Sequence, residues 1–287
     1  MQTQTLPEFK GTQIIPKEIQ FPEADCLQGD FGKYVHNEVI SEYGSDNSFV
    51  TTKIIYDDEA QVVKGSKPGY IVAANKIIRN QGLTTVTQAD LENILENKIL
   101  DLKGFYEDTA LVLRSKQNPN QYLANHLAKQ VEHRKGKNFR SPVMISLCDL
   151  DLVKDNNSPY KLSFKLRESS NIIYTPILNK SGNFSSKDII KKTGLPKKTG
   201  KQGDRTLYTR DSGLSRLYLG RDLGLGSNWG GLAGSDAGGR VVVLNKNSEA
   251  GSQKILGYEE ETNKLRKEYV SQLKNIRDKI NLELQNN

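Results

Sequence analysis

Apolar residues recur at helical spacing in the first half of the chain and at alternating spacing in much of the second. In 70–80, Ile71, Ala74, Ile77 and Ile78 share one helical face, and Gly82 stands where a C-capping glycine belongs. A second helix is predicted to follow at once. Thr87 with Asp90 three residues on nearly matches a capping box, and Leu91, Ile94, Leu95, Ile99 and Leu100 form the stripe behind it. A third helix is predicted over 122–132. The run 49–56, FVTTKIIY, is rich in β-branched and aromatic residues between Asn47-Ser48 and Asp57-Asp58, which predicts a strand. Further strands are predicted at 143–147, at 160–166, where Leu162, Phe164 and Leu166 alternate, and at 172–178, with a turn at 168–171. Together these predict an antiparallel meander with one buried face, followed by a strand at 206–210.

The ends read differently. Residues 1–45, where Pro7, Pro16 and Pro22 separate short apolar pieces, read as an arm with little regular structure. Over 251–287, Leu265, Tyr269, Leu273, Ile276, Ile280 and Leu284 recur at spacings of four and three on a charged background, an amphipathic helix. Its seam over 265–284 serves packing on the parent domain or self-association. The expected fold class is therefore α+β: a domain over 46–250 with antiparallel strands and two or three helices, preceded by the arm and followed by the helix.

Residues 214–244, LSRLYLGRDLGLGSNWGGLAGSDAGGRVVVL, hold glycine far above its frequency elsewhere. Leu219, Arg221, Leu223, Leu225 and Ser227 alternate with Gly220, Asp222, Gly224 and Gly226, which in an extended chain places one set inward and the other outward. Glycine packs nothing and loses the most backbone entropy, so folding did not select it at the outward positions. Leu217, Leu223, Leu225, Leu232 and the strand 240–244 nevertheless describe an ordered framework. The outward residues are Gly, Asp, Asn and Ala, and all four have codons reached from an asparagine codon by changing its two adenines alone. Gly220, Asp222, Gly224, Gly226, Asn228, Gly230, Gly231, Gly234, Asp236, Ala237 and Gly238 fit that rule, and Trp229 does not.

This constellation resembles the variable proteins of diversity-generating retroelements, in which an error-prone reverse transcriptase rewrites one region of a protein at template adenines. In that family the variable region lies on a C-type-lectin fold and closes in a strand of the type G-x-R-V-V, matched by Gly238-Gly239-Arg240-Val241-Val242. Upstream, 82–92 (GLTTVTQADLE) is similar to the G-x-R-L-P-T-E-A-E-W-E helix start of the formylglycine-generating branch, although its Arg, Pro and Trp are absent. About 43 residues follow Leu244, whereas the variable region of many relatives lies almost at the C-terminus. The resemblance implies a C-type-lectin-like domain whose eleven outward positions contact a protein or other macromolecular ligand of variable identity. Tyr218 and Trp229 are additional candidate contacts, and Trp229 fits a core role equally well. The calcium-ligating triads of sugar-binding lectins do not occur, so no calcium-dependent carbohydrate site is expected.

Composition narrows the alternatives. The proportions of apolar and charged residues, 36% and 26%, are those of a globular chain, and no run approaches the length of a membrane span. Residues 1–9 are too polar for a signal peptide, so a soluble protein of cytoplasmic synthesis is expected. Cys26 and Cys148 lack a CxxC partner, which predicts buried free thiols, and His36, His126 and His133 are expected at the surface rather than on a metal. Much of the net charge of +7 sits in Lys187, Lys191, Lys192, Lys197, Lys198 and Lys201, with aromatic residues only near the ends of that stretch. Nucleic acid is therefore not the expected partner, although an accessory role using 187–201 is the alternative it would serve. Neither GxxxxGK[ST] nor GxSxG occurs, and Gly224 and Gly226 lack the third glycine of GxGxxG. No catalytic residue, metal or cofactor is expected. A structural or assembly protein with a flexible glycine loop is the remaining alternative.

Overall fold

The computed structural model describes residues 23–137 and 139–245. The first half of this stretch carries β1 (Ala24–Cys26), α1 (Gly29–Tyr43), β2 (Ile55–Asp57), β3 (Val62–Lys64), α2 (Pro68–Ile78), β4 (Leu83–Thr85), α3 (Gln88–Glu96), β5 (Glu107–Leu113) and α4 (Gln121–Lys135). The second half is nearly all strand: β6 (Val143–Ser146), β7 (Leu150–Lys154), β8 (Leu162–Leu166), β9 (Ile172–Tyr174), β10 (Gly182–Phe184), β11 (Ile189–Ile190), β12 (Leu195–Pro196), β13 (Arg205–Tyr208), β14 (Leu214–Leu219), β15 (Leu225–Gly226) and β16 (Val242–Asn245).

The result is a mixed α+β architecture. Seven strands form the central sheet in the order β10-β13-β15-β14-β5-β6-β9, antiparallel throughout except between β13 and β15. Alternation along β5 divides the interior into two cores. Leu111 and Leu113 face α1, α2 and α4, while Ala110 and Val112 face α3 together with Leu217, Leu219 and Leu225. A second sheet, β1-β16-β4, joins the first strand of the described chain to the last. Among the described residues no helix is long and apolar enough to cross a membrane.

Two predicted helices form for the expected reasons. The Thr87 hydroxyl accepts the Asp90 N–H while the Asp90 carboxylate accepts the Thr87 N–H, a complete capping box on α3. After α2, a short 3₁₀ turn ends at Gly82, whose φ of 75° lies in the left-handed region. The third, α4, covers the helix expected at 122–132.

Other expectations are corrected. The predicted arm 1–45 contains β1 and α1, and Phe31, Val35 and Val39 of α1 enter the core; α2, α3 and α4 are the helices within 46–250, and α1 adds a fourth ahead of them. The run 49–56 is no strand until Ile55. The side chain of Asn47 accepts the N–H groups of Phe49 and Val50, and its carbonyl accepts those of Thr51 and Thr52. The buried Lys67 ammonium, pulled down to about 8 by burial, donates to the carbonyls of Ser48 and Thr52. These bonds give the backbone a turn in place of a ladder, while Phe49 and Val50 are still buried. The meander is also rearranged, because β8 pairs with β7 and β9 pairs with β6. Pro176 ends the predicted strand 172–178 early by starting a 3₁₀ turn. The basic stretch is structured too, carrying the β11–β12 hairpin. His36 is buried rather than at the surface, with Nδ1 3.1 Å from the Tyr70 hydroxyl, and burial lowers its pKa. Neither cysteine is in a disulfide; Cys148 is buried as expected, whereas Cys26 is only partly buried. Residues 251–287, including the seam 265–284, lie outside the described residues.

Candidate functional site

The expected period of two through 219–227 is interrupted by a hairpin. The chain leaves β14, turns at 220–224 and returns as β15, pairing Leu219 with Leu225 and Tyr218 with Gly226. Gly220 N–H donates to the Gly224 carbonyl, and Leu223 N–H to the Gly220 carbonyl. Asp222 holds the turn by accepting the Gly224 N–H at 3.0 Å. Arg221, expected inward, is exposed at the tip, whereas Gly224 and Gly226, expected outward, are buried. From α3, Glu92 forms a buried bidentate ion pair with Arg205, whose Nε donates to the Leu223 carbonyl and fixes the tip against β13. On the other side Arg114, its pKa lowered by burial to about 10, donates to Ser215 Oγ and Ser227 Oγ and pins the exit from β15.

Beyond the end of the helix-covered core, this hairpin and the loop 227–241 enclose a cleft of about 350 Å³. Its aromatic walls are Tyr106 before β5, Tyr208 at the end of β13, Tyr218 on β14, and Trp229 in the loop. Gly220, Gly224 and Gly226 keep its hairpin side open, and Asp222, Arg221 and Asp236 stand at its rim. The back wall is rigidly wired: the Tyr106 hydroxyl donates to the Ser66 carbonyl, accepts the Asp236 N–H at 2.9 Å, and lies 3.2 Å from Ser235 Oγ. Tyr218 packs edge-on between Tyr106 and Trp229.

A buried ion pair forms the floor. Arg216 and Asp108 are each 0% exposed and meet at 3.2 Å. Arg216 Nη1 also donates to the Gly234 carbonyl at 2.9 Å, and its guanidinium lies 4.3 Å from the Trp229 ring centroid. Asp108 accepts from Ser66 Oγ; burial raises its carboxyl above the ordinary range, against the pull of Arg216 and Ser66. At the rim Arg221 pairs with Asp236, both about half exposed, so this exposed bridge adds little stability.

Of the predicted contacts, Gly220, Asp222, Gly224, Gly226, Asp236, Tyr218 and Trp229 meet at the cleft. Trp229, 47% exposed, is a surface wall and not core. The others border it. Gly238 lies under Arg221, Gly231 beside the Trp229 indole, and Gly230 against Pro119. Asn228 and Ala237 are exposed, with carbonyls accepting from Arg210 and Arg240, and Gly234 supplies the carbonyl for Arg216. Tyr106, Tyr208, Arg216, Arg221 and Leu225 also line the cleft without having been singled out as contacts. Arg216 was readable as an odd charge amid the leucines of 214–219. Tyr106 and Tyr208 are brought in by strand pairing alone.

Comparisons with protein-family models, with curated proteins and with solved structures found no match to this chain.

Proposed function

We propose that this chain is a non-enzymatic recognition protein whose cleft and surrounding patch are diversified by adenine-directed mutagenesis, on a domain of C-type-lectin type. One observation carries the reading. None of the seven glycines proposed to vary, Gly220, Gly224, Gly226, Gly230, Gly231, Gly234 and Gly238, has a φ in the left-handed region. The closest obstacles to a Cβ at five of them are side chains, Asp222, Tyr218, Pro119, Trp229 or Arg221, and at Gly224 the Asp222 carboxylate and the Thr206 carbonyl are equally near at 3.0 Å. At Gly234 the nearest atom is 3.5 Å away, an ordinary contact. The flanking Gly213 and Gly239 differ, since a Cβ there would lie 2.4 Å and 2.3 Å from main-chain nitrogens. The backbone thus demands glycine at the two ends of the segment and not at the positions between, which is the division expected if something other than folding chose those residues.

The bonds from Asn120 to the Gly230 carbonyl and from Arg216 to the Gly234 carbonyl favour a held surface over a flexible loop. The test is deep sequencing of the DNA for residues 210–245 across the source population, together with a search of the flanking DNA for a template copy. Variation is expected at the eleven positions, with Leu217, Leu223, Leu225, Leu232 and Arg240 fixed. Invariant codons and no template nearby would defeat the proposal.

A further inference from the structure

Arg216 is fully buried at the cleft floor, yet its Nε and Nη2 have no hydrogen-bond partner. Its other nitrogen, Nη1, is the one engaged by Asp108 and the Gly234 carbonyl. In a planar guanidinium Nε–H and Nη2–H lie along one edge and form a two-donor fork matched in spacing to the two oxygens of a carboxylate. Leaving such donors buried and unmet is costly, and Arg216 lines the cleft. Trp229, together with Tyr106 and Tyr218, covers the guanidinium. Trp229 is half exposed, and the missing side chain at Gly231, whose Cβ would come within 2.7 Å of the indole Nε1, leaves it room.

We infer that the cleft takes a carboxylate of its ligand onto the Nε–Nη2 edge of Arg216, with Trp229 as a cover that moves aside. The surrounding charges select a monoanion. Asp108 already neutralises the far side of Arg216, and at the rim Asp222 opposes a second negative charge while Asp236 is balanced by Arg221. Arg216 lies outside the eleven positions, so it would supply one constant anchor beneath a changing surface. The inference rests on the cleft being a recognition site, but not on its diversification.

Trp229 is the only tryptophan in the chain, so its fluorescence reports the site directly. Titration of the full chain with benzoate is expected to give a saturable change, with benzamide weaker by about tenfold, the loss expected when a charge-assisted contact becomes a neutral one. Arg216→Lys keeps the charge beside Asp108 but loses the fork, and should weaken benzoate similarly. Should that variant fail to fold, the ¹⁵N-labelled wild-type chain serves, where benzoate and not benzamide should shift the Arg216 Nε–H resonance. A blocked glutamate tripeptide and a peptide with a free terminal carboxylate distinguish the source, and whichever binds tighter than benzoate identifies a protein side chain or a chain end. Equal binding of benzoate and benzamide, an unmoved Arg216 resonance, or tighter binding of phenyl phosphate would overturn the inference. Such a failure beside variable codons leaves diversification standing, while carboxylate binding beside invariant codons removes diversification alone.

Discussion

Glu107 begins β5 wholly buried, with neither carboxylate oxygen hydrogen-bonded. Burial drives its pKa well above the ordinary 4.5, and the neighbouring Asp108 adds to the rise; the Val242 N–H faces it without a well-formed bond and offsets this only in part. The folded state therefore holds a proton that the unfolded chain releases. Stability from this group is fully present below the ordinary carboxylate range and is lost as pH rises through the folded-state pKa. Glu107→Gln, neutral at every pH, should be more stable than the parent by roughly 1–3 kcal/mol at about pH 8 and no more stable at about pH 4. Urea denaturation at the two pH values measures this, and an equal gain at both would show that charge is not the cause. A second comparison separates framework from patch. Gly239→Ala drives a Cβ into the Ser66 nitrogen and should cost about 1–3 kcal/mol, whereas Gly234→Ala meets only ordinary contacts and should stay within about 0.5 kcal/mol of the parent.

At the scale of elements, side chains that bond to nearby backbone decide several outcomes. Asn47→Ala removes two bonds to the N–H groups of Phe49 and Val50, and thermal unfolding should register a loss of about 1–2 kcal/mol. That turn also explains why 49–56 misleads as sequence: an apolar β-branched run is equally suited to burial in a turn, and the deciding residues, Asn47 and Lys67, are separated by twenty positions. The helices α2, α3 and α4 were legible because each repeats its apolar stripe, and α3 carries its cap beside it. The stripe of α1 mixes Gly32, Tyr34 and His36 with Phe31, Val35 and Val39 on a polar background and follows three prolines, so composition hid it. The central strand β5 was illegible because its first three residues, Glu107, Asp108 and Thr109, are polar yet buried; only the partners Ser66, Arg216 and Gln88 make Asp108 and Thr109 tolerable there. The hairpin at 220–224 escaped notice for another reason. Its left-handed residue is Leu223 at φ 65°, not one of the glycines around it.

On the scale of the whole molecule, the two cores and the patch make separable demands. Leu217, Leu219 and Leu225 enter the core beneath the hairpin, and Leu232 and Val241 enter the other. The eleven patch positions contribute no side chain to either core. Simultaneous replacement of the patch residues should therefore leave folding nearly intact, in the way surface changes usually do. Additivity should fail where an added side chain needs a neighbour to move, most sharply at two places. A side chain at Gly226 must displace the Tyr218 ring, and one at Gly238 must displace Arg221 from its bridge with Asp236. A display library randomised at the eleven codons and sorted for protease resistance tests both parts. Most members should resist cleavage as the parent does, and large residues at Gly226 should survive mainly where Tyr218 is free to rotate into a cleft left open at Gly220 and Gly224. A library randomised instead at Leu217, Leu219, Leu225, Leu232 and Val241 should lose resistance almost throughout. Equal losses in the two libraries would mean that the patch is part of the fold rather than a surface carried by it.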